Sequence, residues 1–204
     1  MRPPGLILAG GKSSRMGANK ALLGLGQDSI LGHVLRRFDP QVSPLAINAA
    51  ELLPGFEAYP YLEDIAGGQL GPLAGILTGM RHYAGRRPEI SHFASAPCDS
   101  PFLPLDLVSR LTAACSGAET IVIAGSLERR HPVFGLWPLS LADDLERWLV
   151  TDGNRRINAF LDRHHTVTVN FPQLQTERGA LDPFFNINTP EELAHASAFV
   201  ESLA

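Results

Sequence analysis

The stretch that decides the fold is GLILAGGKSSRMGANK, residues 5–20. It begins with a short continuous apolar run over residues 5–9, which is typical of a strand buried on both faces of a sheet. Gly10 and Gly11 end this run, and they are followed by three cations and no carboxylate. The pattern predicts a first parallel strand whose carboxyl end opens into a ligand-binding loop.

The rest of the chain alternates predicted strands with predicted helices. Strands are expected over residues 45–48, 59–62, 90–96, 120–124, 131–137 and 166–170. Helices are expected over residues 29–38, 73–83, 105–115, 139–150, 157–163 and 190–202. This alternation predicts an α/β fold, in which a single domain holds a mostly parallel twisted sheet with helices on both faces.

The sequence also predicts the starts of two helices and the position of one strand. Asp28 is the expected N-cap of the first helix, because it directly precedes the helical pattern. Thr189 and Glu192 are expected to form a capping box around Pro190 at the start of the last helix. The strand over residues 131–137 is expected at an edge of the sheet.

Composition excludes several classes of protein. The chain has 204 residues, of which 45% are hydrophobic and 19% charged, so neither a disordered chain nor a coiled coil fits. Its formal net charge of −4 argues against non-specific binding to nucleic acid or to an anionic membrane. No apolar run reaches the ~18–20 residues that cross a bilayer, and no signal segment is evident, so a cytoplasmic protein is expected. Cys98 and Cys115 are expected to be buried, reduced thiols.

The basic residues are unevenly distributed. Of 17 Lys and Arg residues only Lys12 and Lys20 are lysines, and both lie in the acid-free segment 1–27. One interpretation is that an arginine-biased composition left two lysines there by chance. The other is that this loop needs compact ammonium charges, which the broad guanidinium of arginine does not reproduce.

Two familiar phosphate-binding templates do not fit the loop. A Walker A motif would need glycine where Leu6 stands, and a dinucleotide fingerprint beginning at Gly24 would need glycine where Ser29 stands. What remains is a strand, a glycine pair and several cations, and this combination favours phosphate binding through backbone N–H groups and positive charge. The alternative is an ordinary strand-to-helix turn with solvated basic residues.

Residues 8–20 resemble the G-G-x₃-R-M-G-x₂-K signature of nucleotidyltransferases, which transfer a nucleotide from a nucleoside triphosphate and release pyrophosphate. Within that superfamily the whole chain resembles the molybdenum cofactor guanylyltransferases. The supporting segments are Ile47-Asn48-Ala49, Glu63-Asp64, Gly71-Pro72-Leu73-Ala74-Gly75, Pro97-Cys98-Asp99-Ser100-Pro101 and Asn186-Ile187-Asn188-Thr189-Pro190. The resemblance implies a Rossmann-like fold and transfer of GMP from GTP to the phosphate of molybdopterin or molybdenum cofactor.

The resemblance also implies a set of site residues. The implied catalytic residues are Lys20, Arg15 and Asp99. The implied nucleotide-binding residues are Leu8, Ala9, Gly10, Gly11, Lys20, Asn48, Asp64, Gly71, Pro72, Leu73 and Asp99. Independently of the family, Asp99 follows a predicted strand between two prolines, where a carboxylate could hold Mg²⁺ or could simply cap a turn. Resemblance to the family's metal-binding motif favours the Mg²⁺ role.

The second half of the chain is implied to bind the acceptor. Residues 1–105 are expected to be mainly the nucleotide-binding half of the single domain 1–204, and residues 106–204 mainly the acceptor-binding half. The implied acceptor-binding residues are Arg155, Arg156, Asn186 and Asn188. Residues 129–131, Arg-Arg-His, are either solvated surface or part of a cationic cradle, with His131 facing the substrate. Molybdenum-cofactor delivery proteins are further implied partners.

Other functions remain open at this point. A cytidylyltransferase acting on the same cofactor is the first alternative, although the resemblance suggests alanine within its glycine pair, where this chain has Gly10 and Gly11. A sugar-nucleotide pyrophosphorylase would need a further domain. A non-enzymatic nucleotide-binding adaptor would bind GTP and never release pyrophosphate.

Overall fold

The computed structural model describes residues 1–10, 19–65, 71–85, 89–151 and 156–203. The described strands are β1 Gly5–Leu8, β2 Gly24–Leu25, β3 Asp28–Ser29, β4 Leu45–Asn48, β5 Tyr61–Leu62, β6 His92–Pro97, β7 Ile121–Ser126, β8 Arg129–Pro138, β9 Thr166–Asn170, β10 Leu174–Thr176 and β11 Gly179–Leu181. The described α-helices are α1 Ile30–Phe38, α2 Pro72–Ala84, α3 Leu107–Ala113, α4 Ala142–Thr151, α5 Ile157–Leu161 and α6 Pro190–Leu203.

Seven strands form one sheet in the order β5-β4-β1-β6-β8-β7-β9. The pairs β5–β4, β4–β1, β1–β6 and β7–β9 are parallel, so the predicted mostly parallel α/β fold is confirmed. The chain passes from β1 to β4 on one side and later to β6 on the other. The carboxyl ends of β1 and β6 therefore flank a topological switch point, the place where open α/β sheets bind ligands.

Helices cover both faces of the sheet because alternate strand residues point to opposite sides. Ile7 of β1 packs in a core cluster with α1 and α3, whereas its neighbour Leu6 packs in a second cluster with α2, α4 and α5. Gly79 of α2 allows the close approach on the second face, since a Cβ there would collide with the ring of Phe93. This close packing holds α2 against β1 and β6.

The expected edge position of the strand over residues 131–137 is wrong. The strand, β8, runs from Arg129 to Pro138 and lies inside the sheet, antiparallel to both β6 and β7. Its carboxyl-terminal half is buried, and Trp137 donates a hydrogen bond from Nε1 to Ser95 Oγ on the neighbouring strand β6 at 2.9 Å. Because β8 is antiparallel, its amino end lies beside the carboxyl end of β6.

Helix capping corrects one prediction and confirms another. The N-cap of α1 is Ser29, whose Oγ accepts from Gly32 N at 3.1 Å, and the neighbouring Asp28 instead pairs with Arg36. At α6 the capping box forms as predicted, because Thr189 Oγ1 accepts from Glu192 N and Glu192 Oε2 accepts from Thr189 N. Among the described residues, no helix combines the length and apolar character that a membrane crossing requires.

Candidate active site

A cleft of about 800 Å³ opens at the carboxyl edge of the sheet. The ends of β1, β4 and β6, the start of α2 and the start of β8 all contribute to its lining. The sequence-predicted residues that line it are Leu8, Gly10, Lys20, Asn48, Asp64, Gly71, Pro72, Asp99 and Asn186. Residues scattered over most of the chain length thus meet at the switch point.

One side of the cleft carries a paired amide and carboxylate. Asn48, at the end of β4, is only 3% exposed and donates from Nδ2 to Asp64 Oδ1 at 2.9 Å and to Leu62 O at 3.0 Å. Both N–H groups of this amide are therefore used inside the protein, and Asn48 fixes the Asp64 carboxylate, which is itself exposed. A Cβ on Gly10 would lie 3.5 Å from Asn48 Oδ1, so glycine keeps space open above the pair.

The floor of the cleft carries an ion pair between distant segments. Lys20 Nζ donates to Asp99 Oδ2 at 2.5 Å and to Asn188 Oδ1 at 2.9 Å. The Lys20 and Asp99 side chains are 21% and 13% exposed, so most of each is shielded while part faces the cleft. Lys20 opens the short 3-10 helix Lys20–Leu22, where Asn19 Oδ1 caps by accepting from Ala21 N. The opposite charges stabilise each other in a position where phosphate and metal could both reach them.

The segment before α6 is docked onto the loop after β6. Ile187 N donates to Asp99 O at 2.9 Å, and Ser100 Oγ donates to Asn186 Oδ1 at 2.6 Å. Asn186 and Asn188 therefore lie next to the Lys20–Asp99 pair, and of the two amides only Asn186 lines the cleft. Both amides are held at the junction between the two halves of the chain.

Cys98 precedes Asp99 and lines the cleft as well. Burial, reinforced by the neighbouring Asp99 carboxylate, raises the pKa of its thiol to about 12. The thiol stays protonated at neutral pH, and the expectation that Cys98 is buried is confirmed, whereas the same expectation for Cys115 is wrong. Cys115, by contrast, is only partly buried.

Several predicted site residues lie outside this arrangement. Ala9 donates its backbone N–H to Asn48 O and supports the first loop, while the Leu73 side chain is fully buried in the core beneath α2. Arg156 is exposed at the start of α5 and is not among the residues that line the cleft. Gly11, Lys12, Arg15 and Arg155 fall outside the described residues.

Gly71 and Pro72 line the cleft at the start of α2. Gly71 has φ +69°, a left-handed conformation that L side chains rarely adopt, and Pro72 opens α2 at its first helical position. A Cβ on Gly71 would meet no atom within 4 Å, so backbone conformation and not crowding requires glycine here.

The far wall of the cleft is the amino end of β8, whose first residues the sequence predicts either as solvated surface or as part of a cationic cradle. Arg130, His131 and Phe134 line it. The Arg-Arg-His sequence is the signal that pointed to this wall, but a sequence alone does not distinguish a cleft wall from solvated surface. The antiparallel direction of β8 brings Arg130 and His131 to the carboxyl edge of the sheet, where both line the cleft, whereas Arg129 is exposed and is not among the lining residues.

Comparison with known proteins agrees with this geometry. Residues 5–167 match the family described as MobA-like NTP transferase domain. The chain belongs to that family. It is 49% identical over 201 residues to a molybdenum cofactor guanylyltransferase of Rhizobium rhizogenes, covering 98% of this chain and 93% of the relative. It is 50% identical over 199 residues to the protein of the same name in Rhizobium leguminosarum bv. trifolii, with the same shares covered.

Solved structures support the fold of this family member. Molybdopterin-guanine dinucleotide biosynthesis protein A from Archaeoglobus fulgidus superposes with a TM-score of 0.72 at 22% identity, covering 97% of this chain and 98% of that one. A 4-diphosphocytidyl-2C-methyl-D-erythritol synthase from Anaerococcus prevotii gives a TM-score of 0.67 at 13% identity, covering 98% and 96%. These likenesses confirm the Rossmann-like nucleotidyltransferase fold that the sequence predicts.

Proposed function

We propose that this chain transfers GMP from GTP to the terminal phosphate of molybdopterin, with or without its molybdenum, and releases pyrophosphate. The observation that carries the proposal is the Lys20–Asp99 pair at 2.5 Å on the floor of a cleft at the switch point. The near-full-length relatives named molybdenum cofactor guanylyltransferase support the choice of substrates.

The nucleotide binds across the β1–β4 side of the cleft. Gly10 leaves room for a ligand near Asn48 and Asp64, and the Asp64 carboxylate offers acceptor oxygens to ribose hydroxyls or to the N–H groups of guanine. Gly71 and Pro72 border the base, and the triphosphate extends towards Lys20. Gly11 and Arg15 belong to the same loop in sequence and contribute backbone N–H groups and positive charge.

The reaction is an in-line displacement at the α-phosphorus. An oxygen of the acceptor phosphate forms the new bond to phosphorus while the bond to the oxygen that bridges to the β-phosphorus breaks. The nucleophile is already ionised near neutral pH, so no general base is needed, and catalysis consists of positioning and charge stabilisation. Lys20 and Arg15 stabilise the charge that develops on the leaving pyrophosphate.

Asp99 is the residue proposed to hold Mg²⁺. No group of three or more His, Cys, Asp and Glu side chains suited to a metal occurs among the described residues. The arrangement still fits Mg²⁺, because this ion is usually bound by one or two carboxylates together with substrate phosphates and water. When bound, Mg²⁺ would supply charge neutralisation to the phosphate oxygens.

The acceptor occupies the side of the cleft formed by the second half of the chain. Asn186 and Asn188 lie next to Asp99, where the acceptor phosphate must meet the α-phosphorus. Arg155 and Arg156 are proposed to attract the anionic acceptor, and Arg156 would do so from the start of α5. Molybdenum-cofactor delivery proteins are proposed to supply it.

Pyrophosphate release and thermal melting together test the function. We expect pyrophosphate only when GTP, Mg²⁺ and molybdopterin are all present, and we expect GTP to raise the melting temperature more than CTP does. Greater protection and turnover with CTP would indicate the cytidylyltransferase. Protection by GTP with no pyrophosphate under any condition would indicate a binding adaptor and overturn the proposal.

A further inference from the structure

A hydrogen-bonded chain of three side chains lies at the far wall of the cleft. Ser126, the last residue of β7, has its Oγ 2.8 Å from Asp182 Oδ1 and 2.7 Å from His131 Nε2. Ser126 is 1% exposed, which rules it out as an accessible nucleophile. The three residues come from β7, β8 and the loop after β11, so the chain of bonds ties three segments together.

The available donors and acceptors determine which ring nitrogen of His131 carries the proton. The Asp182 carboxylate has only acceptor oxygens, and its Oδ1 also accepts from Phe184 N at 3.0 Å. The single hydroxyl proton of Ser126 must therefore be donated to Asp182. Ser126 Oγ is then left to accept, and the N–H that it accepts is on His131 Nε2. In neutral His131 the proton is thus on Nε2 and the lone pair is on Nδ1.

The surroundings of the ring keep it neutral and in place. Burial lowers the pKa of His131, Asp182 opposes this effect, and the nearby Arg129 cation lowers the pKa further. Phe184 packs against the imidazole with ring centroids 4.7 Å apart, and Phe134 meets it edge-on at 6.4 Å. The imidazole therefore has a defined plane as well as a defined tautomer.

His131 is also part of the cleft wall. His131 lines the cleft on the same strand as Arg130, and β8 lies next to β6, which leads to Asp99. No hydrogen bond from Nδ1 to another described residue is present. Since the nucleotide is assigned to the β1–β4 side, the ligand that reaches this wall is the acceptor.

We propose that His131 binds the acceptor by accepting, at Nδ1, a hydrogen bond from a ring N–H or amino group, and that Ser126 and Asp182 are positioning residues that hold this tautomer. The inference rests on the proposed function and goes beyond it, because it assigns a recognition contact for the heterocycle and not for its phosphate. An aminopyrimidinone such as the pterin carries such donors.

Two variants of His131 test the roles of its two ring nitrogens separately. His131→Asn puts an amide near the position of Nδ1, whereas His131→Gln puts one near Nε2. With the full-length enzyme we expect His131→Gln to raise KM for molybdopterin about 10-fold, the effect of losing one hydrogen bond in a shielded site, with KM for GTP unchanged. His131→Asn should recover most of the loss. Unchanged KM in His131→Gln, or equal increases for GTP and molybdopterin, would overturn the proposal.

A spectroscopic measurement tests the tautomer without any turnover. Nitrogen-15 NMR of the wild-type protein at pH 8 should give a protonated Nε2 and an unprotonated Nδ1 for His131, and Ser126→Ala should produce a mixture of tautomers. A protonated Nδ1 in the wild type would contradict the inference. His165→Gln is the matched control, because His165 is exposed just before β9, at the end of the sheet away from the cleft. This variant should leave KM and the His131 spectrum unchanged.

Together, the kinetic and NMR experiments distinguish failure of the inference from failure of the proposed function. If the wild-type enzyme releases no pyrophosphate, the proposed function fails and the NMR result stands on its own. If the wild type is active and His131→Gln behaves like it, only the role of His131 fails.

Discussion

The floor and the far wall of the cleft are both built from residues that are remote in sequence, but they use different chemistry. On the floor, Lys20 and Asp99 carry full opposite charges 2.5 Å apart. On the far wall, Ser126 Oγ donates a hydrogen bond to the Asp182 carboxylate and accepts one from the neutral imidazole of His131. Full charges suit the phosphate groups and the proposed Mg²⁺ of the proposed transfer step. A neutral ring with a fixed tautomer suits the orientation of a heterocycle, where charge would add little selectivity.

This comparison predicts that the floor dominates turnover. Asp99→Asn keeps the size of the side chain and an acceptor oxygen for Lys20, but it removes the negative charge. We expect turnover to fall by roughly 10³-fold or more, because the proposed metal ligand is lost. Mg²⁺ titrations of pyrophosphate release measure the effect. Full activity with an unchanged Mg²⁺ requirement would show that Asp99 has only a structural part.

The second-largest effect is expected at the other member of the ion pair. Lys20→Ala removes the cation proposed to stabilise the leaving pyrophosphate and should lower turnover on the order of 10²–10³-fold, about 3–4 kcal/mol. Single-turnover rates at saturating GTP measure it. Lys12→Ala is the natural control, since Lys12 is the other lysine of the acid-free segment 1–27. Lys12→Ala should lower turnover far less than Lys20→Ala does. Equal losses of turnover in both variants would indicate that the segment supplies general positive potential and that Lys20 makes no specific contact.

The floor and the wall also differ in how far the sequence predicts them. The buried apolar run of β1 and its glycine turn are local signals, so the first strand, the fold class and the position of the site at the sheet edge could be predicted. The contact of Lys20 with Asp99 spans 79 positions and depends on β1 lying next to β6. No local spacing encodes that neighbour relation, which is why the family signature was needed to group the two residues.

The far wall was harder to predict because its signal is non-local throughout. The alternating pattern over residues 131–137 predicts an edge strand, and only the pairing on both sides puts β8 inside the sheet. Ser126 and Asp182 have no distinguishing pattern of their own. Their importance follows from a hydrogen-bond chain that exists only after β7, β8 and the loop following β11 have packed together.

The smallest effect concerns the turn that holds the far wall in place. Leu127 and Glu128 connect Ser126 to Arg129 in a two-residue hairpin, and their φ angles are +48° and +61°. Both residues thus adopt the left-handed conformation, which costs about 1–2 kcal/mol for an L residue with a Cβ. Leu127→Gly should relieve part of this strain and raise the melting temperature by about 2–4 °C, as measured by calorimetry.

A second exposed leucine, Leu52, is the control, because its replacement by glycine should change the melting temperature in the opposite direction. Leu52 is 63% exposed, close to the 56% of Leu127, but the positive φ angles of the described non-glycine residues occur only at Leu127 and Glu128. Leu52→Gly therefore relieves no strain and increases the freedom of the unfolded chain, which should lower the melting temperature. Destabilisation by Leu127→Gly as well would mean that the leucine side chain contributes more at the turn than its backbone strain removes. The hairpin would then hold Ser126 through side-chain packing and not through the turn conformation.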